Sequence, residues 1–347
     1  MARWPAAAAC ALGAALLGML AVSASGQSPV AAADGEGGNS RFTCTDTEKK
    51  RPGCTGTCPD RCPRSCVALC PSCQTYCPDQ VQPVRPALFV FGDGSLDVGN
   101  NNYIEPNEVG DPWRANHSYY GIDFPKSEPT GRFSNGFNMA DFIAKAMGFK
   151  MSPPAYMSLN SPAKLDAGFA GVNYIYNIMT RSEPDNKTDV PHLLSSYGDN
   201  ITALYNLGAR KFAIINVPTL CTPVVSHTCD DLMTSLPKDF NDGIKPLMAS
   251  LASNLDGLRY SIADFYAFSD VVSANPSAYG FVNTGASCCE GPCATNYRPP
   301  CANRMEYWYW DQENPTEQAA KLATTTFFNG TTQFTAPVNF ETLINQK

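Results

Sequence analysis

Residues Ala87 to Phe91 are five apolar residues without a charge, and Gly92-Asp93-Gly94-Ser95 ends the run abruptly. A run of this length and composition reads as a strand buried on both faces of a parallel sheet. A sharp turn at the carboxyl end of such a strand is where α/β folds place ligands and nucleophiles. The stretch therefore predicts a parallel sheet flanked by helices, with a site at this turn.

The amino terminus predicts an address rather than a fold. Arg3 precedes an apolar run from Ala6 to Val22, and the small residues Ser23-Ala24-Ser25-Gly26 follow. A basic end, a short apolar core and a small-residue exit describe a secretory signal peptide over residues 1–26, with cleavage after Ala24 or Gly26 fitting equally. A membrane anchor is the competing reading, but the run is Ala-rich and short of the about 20 residues a span needs. No later stretch is long and apolar enough to cross a bilayer, which predicts a secreted protein, extracellular or in a cell wall. The acidic balance, 25 Lys and Arg against 32 Asp and Glu, argues against a nucleic-acid partner. Four N-x-S/T sequons, at Asn116, Asn186, Asn200 and Asn329, would then be glycan acceptors.

Residues 27–43 are polar, Gly/Ala-rich and aperiodic, and read as a linker. Residues 44–77 hold Cys44, Cys54, Cys58, Cys62, Cys66, Cys70, Cys73 and Cys77 among Pro and Gly, with almost nothing large and apolar. Such a stretch cannot bury a core, so covalent links must hold it. Eight thiols in an exported chain predict four disulfides of undetermined connectivity. A zinc site fits an extracellular protein poorly, so no metal is expected. Cys70-Pro-Ser-Cys73 matches a redox C-x-x-C but lacks the strand and helix such a motif needs.

Helical periodicity appears at Met139, Phe142, Ile143 and Met147, closed by Gly148, and again at Leu194, Tyr197, Ile201 and Leu204, closed by Gly208. Phe212 to Val217 reads as another buried strand. A long amphipathic helix follows over Phe240 to Leu258, dented by Pro246, and Ile262 to Val272 gives a last strand signal. Cys221 and Cys229 bracket a loop and are expected to pair. Cys288, Cys289, Cys293 and Cys301 sit on a later loop; adjacent cysteines rarely bond each other, so each is expected to have a distant partner.

Several of these stretches, in order, resemble the GDSL (SGNH) ester hydrolases in the form found in secreted plant members. Phe91-Gly92-Asp93 and Asp97-Val98-Gly99-Asn100-Asn101 match the family's first block, F-G-D-S-x-x-D-x-G-N-N. Thr130 to Gly136 resembles the second block, Ala170 to Tyr174 the second strand, and Asn206 to Val217 a later strand. Trp310-Asp311-Gln312-Glu313-Asn314-Pro315-Thr316-Glu317 resembles the last block, W-D-x-x-H-P-T-E. The resemblance implies an SGNH-hydrolase-like domain over residues 86–347 that hydrolyses carboxylic esters through a Ser-His-Asp triad, without a cofactor. It implies Gly94 and Gly136 as backbone donors to the oxyanion.

The departures fall on the chemistry. Gly94 stands at the nucleophile's position, with Ser95 one place late. Asn314 stands at the base's position, and only Asp311 of the triad is retained. Relatives reach a strand ending in G-x-N-D, whose Asn is a further oxyanion donor; here Tyr176-Asn177-Ile178-Met179 runs into a polar loop and no G-x-N-D occurs. An amide cannot take a proton near pH 7, and His117, His192 and His227 lie in no catalytic block. The expectation is a pseudoenzyme that still holds an acyl ester or an acetylated cell-wall ligand. The alternatives are an active esterase using Ser95, and a wall or matrix protein acting through its cysteine-rich module.

Overall fold

The computed structural model describes residues 18–23, 30–31, 41–43, 55–63, 66–69, 74–77, 87–104, 113–159, 190–220 and 231–346. The chain divides into two compact units, one of Met1–Ser23 with Ala87–Lys347 and one of Ala24–Pro86.

The larger unit is built on a five-stranded sheet. Its strands are β1 (Gly18–Ser23), β2 (Ala87–Phe91), β3 (Ala209–Ile215), β4 (Arg259–Ala263) and β5 (Thr335–Ala336). Their order across the sheet is β5-β4-β3-β1-β2. β3 and β4 are parallel, whereas β1 is antiparallel to both of its neighbours and β5 to β4. The sheet is thus mixed, not purely parallel.

Alternation along the strands sorts side chains onto two cores. Leu88, Val90, Ala213 and Ile215 join Met139, Ile143, Phe268, Trp308 and Phe327 on one side. Phe212 and Ile214, with Phe89 and Phe91 packed against them, join Tyr197, Ile201, Phe240 and Ile244 on the other. The first core uses helices α1 (Met139–Ala146), α4 (Phe265–Ala274), α5 (Glu317–Asn329) and α6 (Phe340–Asn345); the second uses α2 (Val190–Asn206) and α3 (Asp231–Asn254). Helices on both faces make a three-layer α/β unit.

Gly18–Ser23 pairs as a strand between β2 and β3. Three sequence readings change here. β2 is the edge strand among the described residues, with Leu88 and Val90 buried and Ala87, Phe89 and Phe91 only half-buried. Ile262 to Val272 is not one strand: Asp264 caps a helix by accepting from the Ala267 N–H (3.0 Å), splitting the run into β4 and α4. α3 begins at Asp231, ahead of its apolar periodicity, and runs through Pro237 as well as Pro246.

Two disulfides, Cys58–Cys66 and Cys62–Cys77, cross-link the smaller unit, which also holds short antiparallel pairs such as Arg41–Thr43 with Thr55–Thr57. Cys44, Cys54, Cys70 and Cys73 lie outside the described residues, as do Cys221, Cys229, His227, Asn186 and the stretch 160–189 that includes Asn177. In the larger unit Cys288 bonds Cys301 and Cys289 bonds Cys293: the adjacent pair is not bonded to itself, but the partners are not distant, lying 13 and 4 residues apart on the same loop, whose bends bring them together. No helix among the described residues is long and apolar enough to cross a membrane. Asn116 and Asn329 are exposed and Asn200 is half-buried on α2.

Candidate active site

Where β2 ends, the chain turns sharply: the N–H groups of Leu96 and Asp97 both donate to the Asp93 carbonyl, at 3.0 and 2.9 Å. Gly94 is buried in this turn and Ser95 half-buried. The N–H of Ser95 donates to Asp93 Oδ1 (2.9 Å), and the Ser95 hydroxyl donates to the same oxygen. Ser95 is thus engaged with its own turn.

Asp97 supports the turn from beneath. Its carboxylate accepts from the N–H groups of Gly99 (2.8 Å), Asn100 (2.6 Å) and Asn101 (3.3 Å). Burial pushes its pKa up to about 6 despite these three donors. Gly99 has φ +119°, and a Cβ there would lie 2.6 Å from the Thr130 carbonyl oxygen, so only glycine fits. The spaced Asp, Gly and Asn residues after Gly94 therefore have a mechanical role: they fold the loop that presents position 94.

The second part comes from a strand at Tyr307–Tyr309 and the bend after it. Trp310 donates its N–H to the Asn314 carbonyl (2.8 Å), and Asn314 donates its own N–H to Asp311 Oδ1 (2.7 Å). Residues three apart thus meet in a turn. Asn314 Nδ2 donates to both carboxylate oxygens of Asp311, at 3.0 and 3.1 Å. A Cβ built on Gly94 would sit 2.7 Å from Asn314 Oδ1. The amide therefore spans from Asp311 to Gly94, nitrogen to one and oxygen to the other.

Asp311 is buried and has two further donors, the Glu313 N–H (2.9 Å) and the Tyr120 hydroxyl (2.9 Å). Burial raises its pKa, opposed first by the two backbone N–H groups and then by the Tyr120 and Asn314 side chains. Glu313, half-buried, is pushed up to about 7, chiefly by burial and then by Asp311 and Asp93. Asp311 and Asp93 thus both act on the Glu313 carboxyl.

The sequence profile of the GDSL-like lipase/acylhydrolase family matches residues 169–325. A GDSL esterase/lipase of Arabidopsis thaliana is 30% identical over 338 residues, covering 75% of this chain and 92% of the relative. The chain belongs to the GDSL lipase/acylhydrolase family. Two more Arabidopsis thaliana GDSL esterase/lipases are each 28% identical, over 342 and 325 residues, covering 75% and 69% of this chain and 86% of each relative.

Against the GDSL pattern, the fold brings Gly94, Asn314 and Asp311 into one line, with Ser95 beside it. Gly136 donates its N–H to the Ser134 hydroxyl (3.2 Å), and a Cβ on it would clash with Glu317 Oε2. The second block is clamped to the last one, since Glu317 donates its N–H to Asn135 Oδ1 (2.8 Å) and Asn135 donates to Asp123 (2.7 Å). His117 and His192 are exposed on the surface. Sequence reasoning missed Tyr120 and Glu313. Tyr120 is 191 positions from its partner Asp311 and carries no local signal; Glu313 fills a variable position of the W-D-x-x-H-P-T-E pattern, and only its half-buried place near Asp311 and Asp93 singles it out.

Proposed function

We propose that this chain is a secreted GDSL esterase/lipase-like protein whose ester hydrolysis is impaired or lost, and whose cleft retains an acyl ester or acetylated cell-wall ligand. The observation that carries the reading is the Gly94–Asn314–Asp311 line. Asn314 occupies the span a base would take, orienting nitrogen to carboxylate and oxygen to position 94, yet an amide cannot accept a proton near pH 7. Gly94 offers no nucleophile at the other end. In a well-studied serine triad, losing either member costs on the order of 10⁶ in kcat.

An absent oxyanion donor supports the same conclusion. No G-x-N-D occurs in the sequence. An alignment running over 342 residues while taking in 75% of this chain carries relative sequence with no counterpart here. Entry into the secretory pathway rests on the apolar leader and on the disulfides in both units, bonds that persist in oxidising compartments.

A second reading is ester hydrolysis through Ser95, favoured by its hydroxyl bond to a carboxylate, Asp93. Ser95 sits one residue along, about 3.8 Å in Cα position, and its proton goes to its own turn rather than to the Asn314–Asp311 line. A fluorophosphonate probe and short-chain aryl esters discriminate the readings. Saturable ester binding without labelling or turnover is the expected outcome; labelling abolished in Ser95→Ala would establish the second reading.

A further inference from the structure

Three stretches of the chain meet around the loop that presents position 94. Asn101 donates its side-chain nitrogen to the Trp113 carbonyl (2.9 Å), and Asn100 Oδ1 accepts from the Met157 N–H (3.0 Å). Arg114 donates to the carbonyls of Asn101 (3.3 Å) and Ile104 (2.7 Å). Asn100 and Asn101 are buried and donate their backbone N–H groups to Asp97, so the junction is fixed at its base. Its outer side is aromatic. Tyr103 is 49%, Trp113 58% and Tyr156 46% exposed, and Met157 beside Tyr156 is 44% exposed. Several large apolar side chains left in water at one place mark an interaction site, whereas a single one means little. The place is also uncharged on its outside. Residues 97–104, 113–116 and 151–159 contain two charged side chains, Asp97 and Arg114; the first is buried and the second is committed to backbone carbonyls.

We infer that Tyr103, Trp113 and Tyr156 form an aromatic platform for a neutral polysaccharide, an equatorially linked pyranose chain that lies on the rings. The inference rests on the proposed acetylated wall ligand and names the backbone that would carry the acetyl groups. Such a chain is a flat ribbon. Its axial C–H bonds make apolar faces that stack on aromatic rings, while the hydroxyls along its edges stay in water. Tyr and Trp suit this ligand because their rings are rigid and amphipathic and lose little entropy on binding. An acidic polysaccharide or an anionic membrane needs Lys or Arg facing outward, and these segments offer none among the described residues. A neutral lipid surface calls for exposed aliphatic side chains, yet Val98 is buried and Ile104 and Leu159 are half-buried. The platform grows from the same loop as the turn at Gly94, so a chain held on it runs along the candidate site rather than at a remote face.

The tryptophans provide the readout. They are Trp4, Trp113, Trp308 and Trp310; Trp4 belongs to the leader and the last two are buried, which makes Trp113 the fluorophore that a bound sugar reaches. The secreted protein is titrated with xylohexaose and cellohexaose, which carry no ester, and separately with a short-chain aryl ester. Affinity is read from tryptophan emission and from affinity electrophoresis. At least one hexaose is expected to bind and shift the emission, with affinity lowered at least about tenfold in Trp113→Ala and about threefold in Tyr103→Ala and Tyr156→Ala. Trp113→Phe, which keeps a ring, should lose less than Trp113→Ala. The emission of Trp308 and Trp310 in Trp113→Ala reports whether that variant is folded, and Trp113→Phe carries the test if it is not. Ester binding should be unchanged in all of them. Ester binding without hexaose binding would overturn the platform and leave the proposed function standing, whereas hexaose binding without ester binding would support the platform and remove the ester from that function. Hexaose binding that survives all three alanine variants would overturn the platform. So would binding of phosphatidylcholine vesicles, lost in the same variants, in place of the hexaoses.

Discussion

Asn314 donates its side-chain nitrogen to Asp311 at 3.0 and 3.1 Å and directs its oxygen at Gly94, where a Cβ would come within 2.7 Å. One amide thus fills the place between Asp311 and Gly94. The two substitutions fit each other: a larger residue at 94 needs a different one at 314. Gly94→Ala is expected to lower stability by about 1–3 kcal/mol, the usual cost of overpacking. Paired with Asn314→Ala the loss should be smaller than the sum of the single losses, with a coupling of at least about 0.5 kcal/mol. Chemical denaturation of the four variants measures it; strict additivity would mean that the two sites do not press on each other.

Installing the family's nucleophile and base tests the proposed impairment. Gly94→Ser with Asn314→His would supply nucleophile and base, with Asp311 already held by Tyr120 and two backbone N–H groups. The double variant is expected to remain at least about 100-fold below an intact relative on aryl esters, because an oxyanion donor of the G-x-N-D type is worth on the order of 10²–10³. Recovery to within about tenfold, ~1.4 kcal/mol of barrier, would show that two side chains were all that was lost.

The buried carboxyls set a pH dependence with a definite sign. Glu313 and Asp97 have folded-state pKa values raised to about 7 and about 6, from 4.5 and 3.8. Between those limits the folded state binds more protons than the unfolded one, so stability falls as pH rises from about 4 to about 7 and then levels. The unfolding midpoint should therefore be higher at pH 5 than at pH 7.5. Glu313→Gln, neutral throughout, should raise the midpoint at pH 7.5 and flatten the upper part of the profile. A midpoint that climbs from pH 5 to 7.5 would contradict this.

Reduction should act on the two units differently. The smaller unit relies on bridges such as Cys58–Cys66 and Cys62–Cys77, worth roughly 2–5 kcal/mol each in small domains. The larger one rests on two hydrophobic cores. Mild reductant is expected to expose residues 24–86 to protease first and leave a resistant fragment beginning near Val84. The exception is the loop closed by Cys288–Cys301 and Cys289–Cys293. Those cysteines pack with Tyr120 and Trp310 in a small cluster of their own, so its loosening should also disturb the Tyr120–Asp311 bond. Limited proteolysis with mass spectrometry follows both events. Before reduction, alkylation should find these eight cysteines unreactive.

The sequence alone determined what depends on neighbours along the chain. The apolar run at 87–91 and the Gly-rich turn after it are local, as are the caps of α1 and α2 and the Asp311–Asn314 bend. Each rests on contacts a few residues apart, which spacing and residue type encode. The identities Gly94 and Asn314 within recognisable blocks were equally legible, since they need only the sequence. What tertiary structure decided are the long-range pairings. Tyr120 meets Asp311 across 191 residues, and Glu317 seals Gly136 and Asn135 from the far end of the chain. Ile262 to Val272 became strand and helix because Asp264 sits at the carboxyl end of β4, hydrogen-bonded to Asn216 and, through its N–H, to Phe334. Gly18–Ser23 shows the limit most plainly: its composition says nothing of a strand partner, and its pairing with Ala87–Phe91 and Ala209–Ile215 joins residues far apart in the chain.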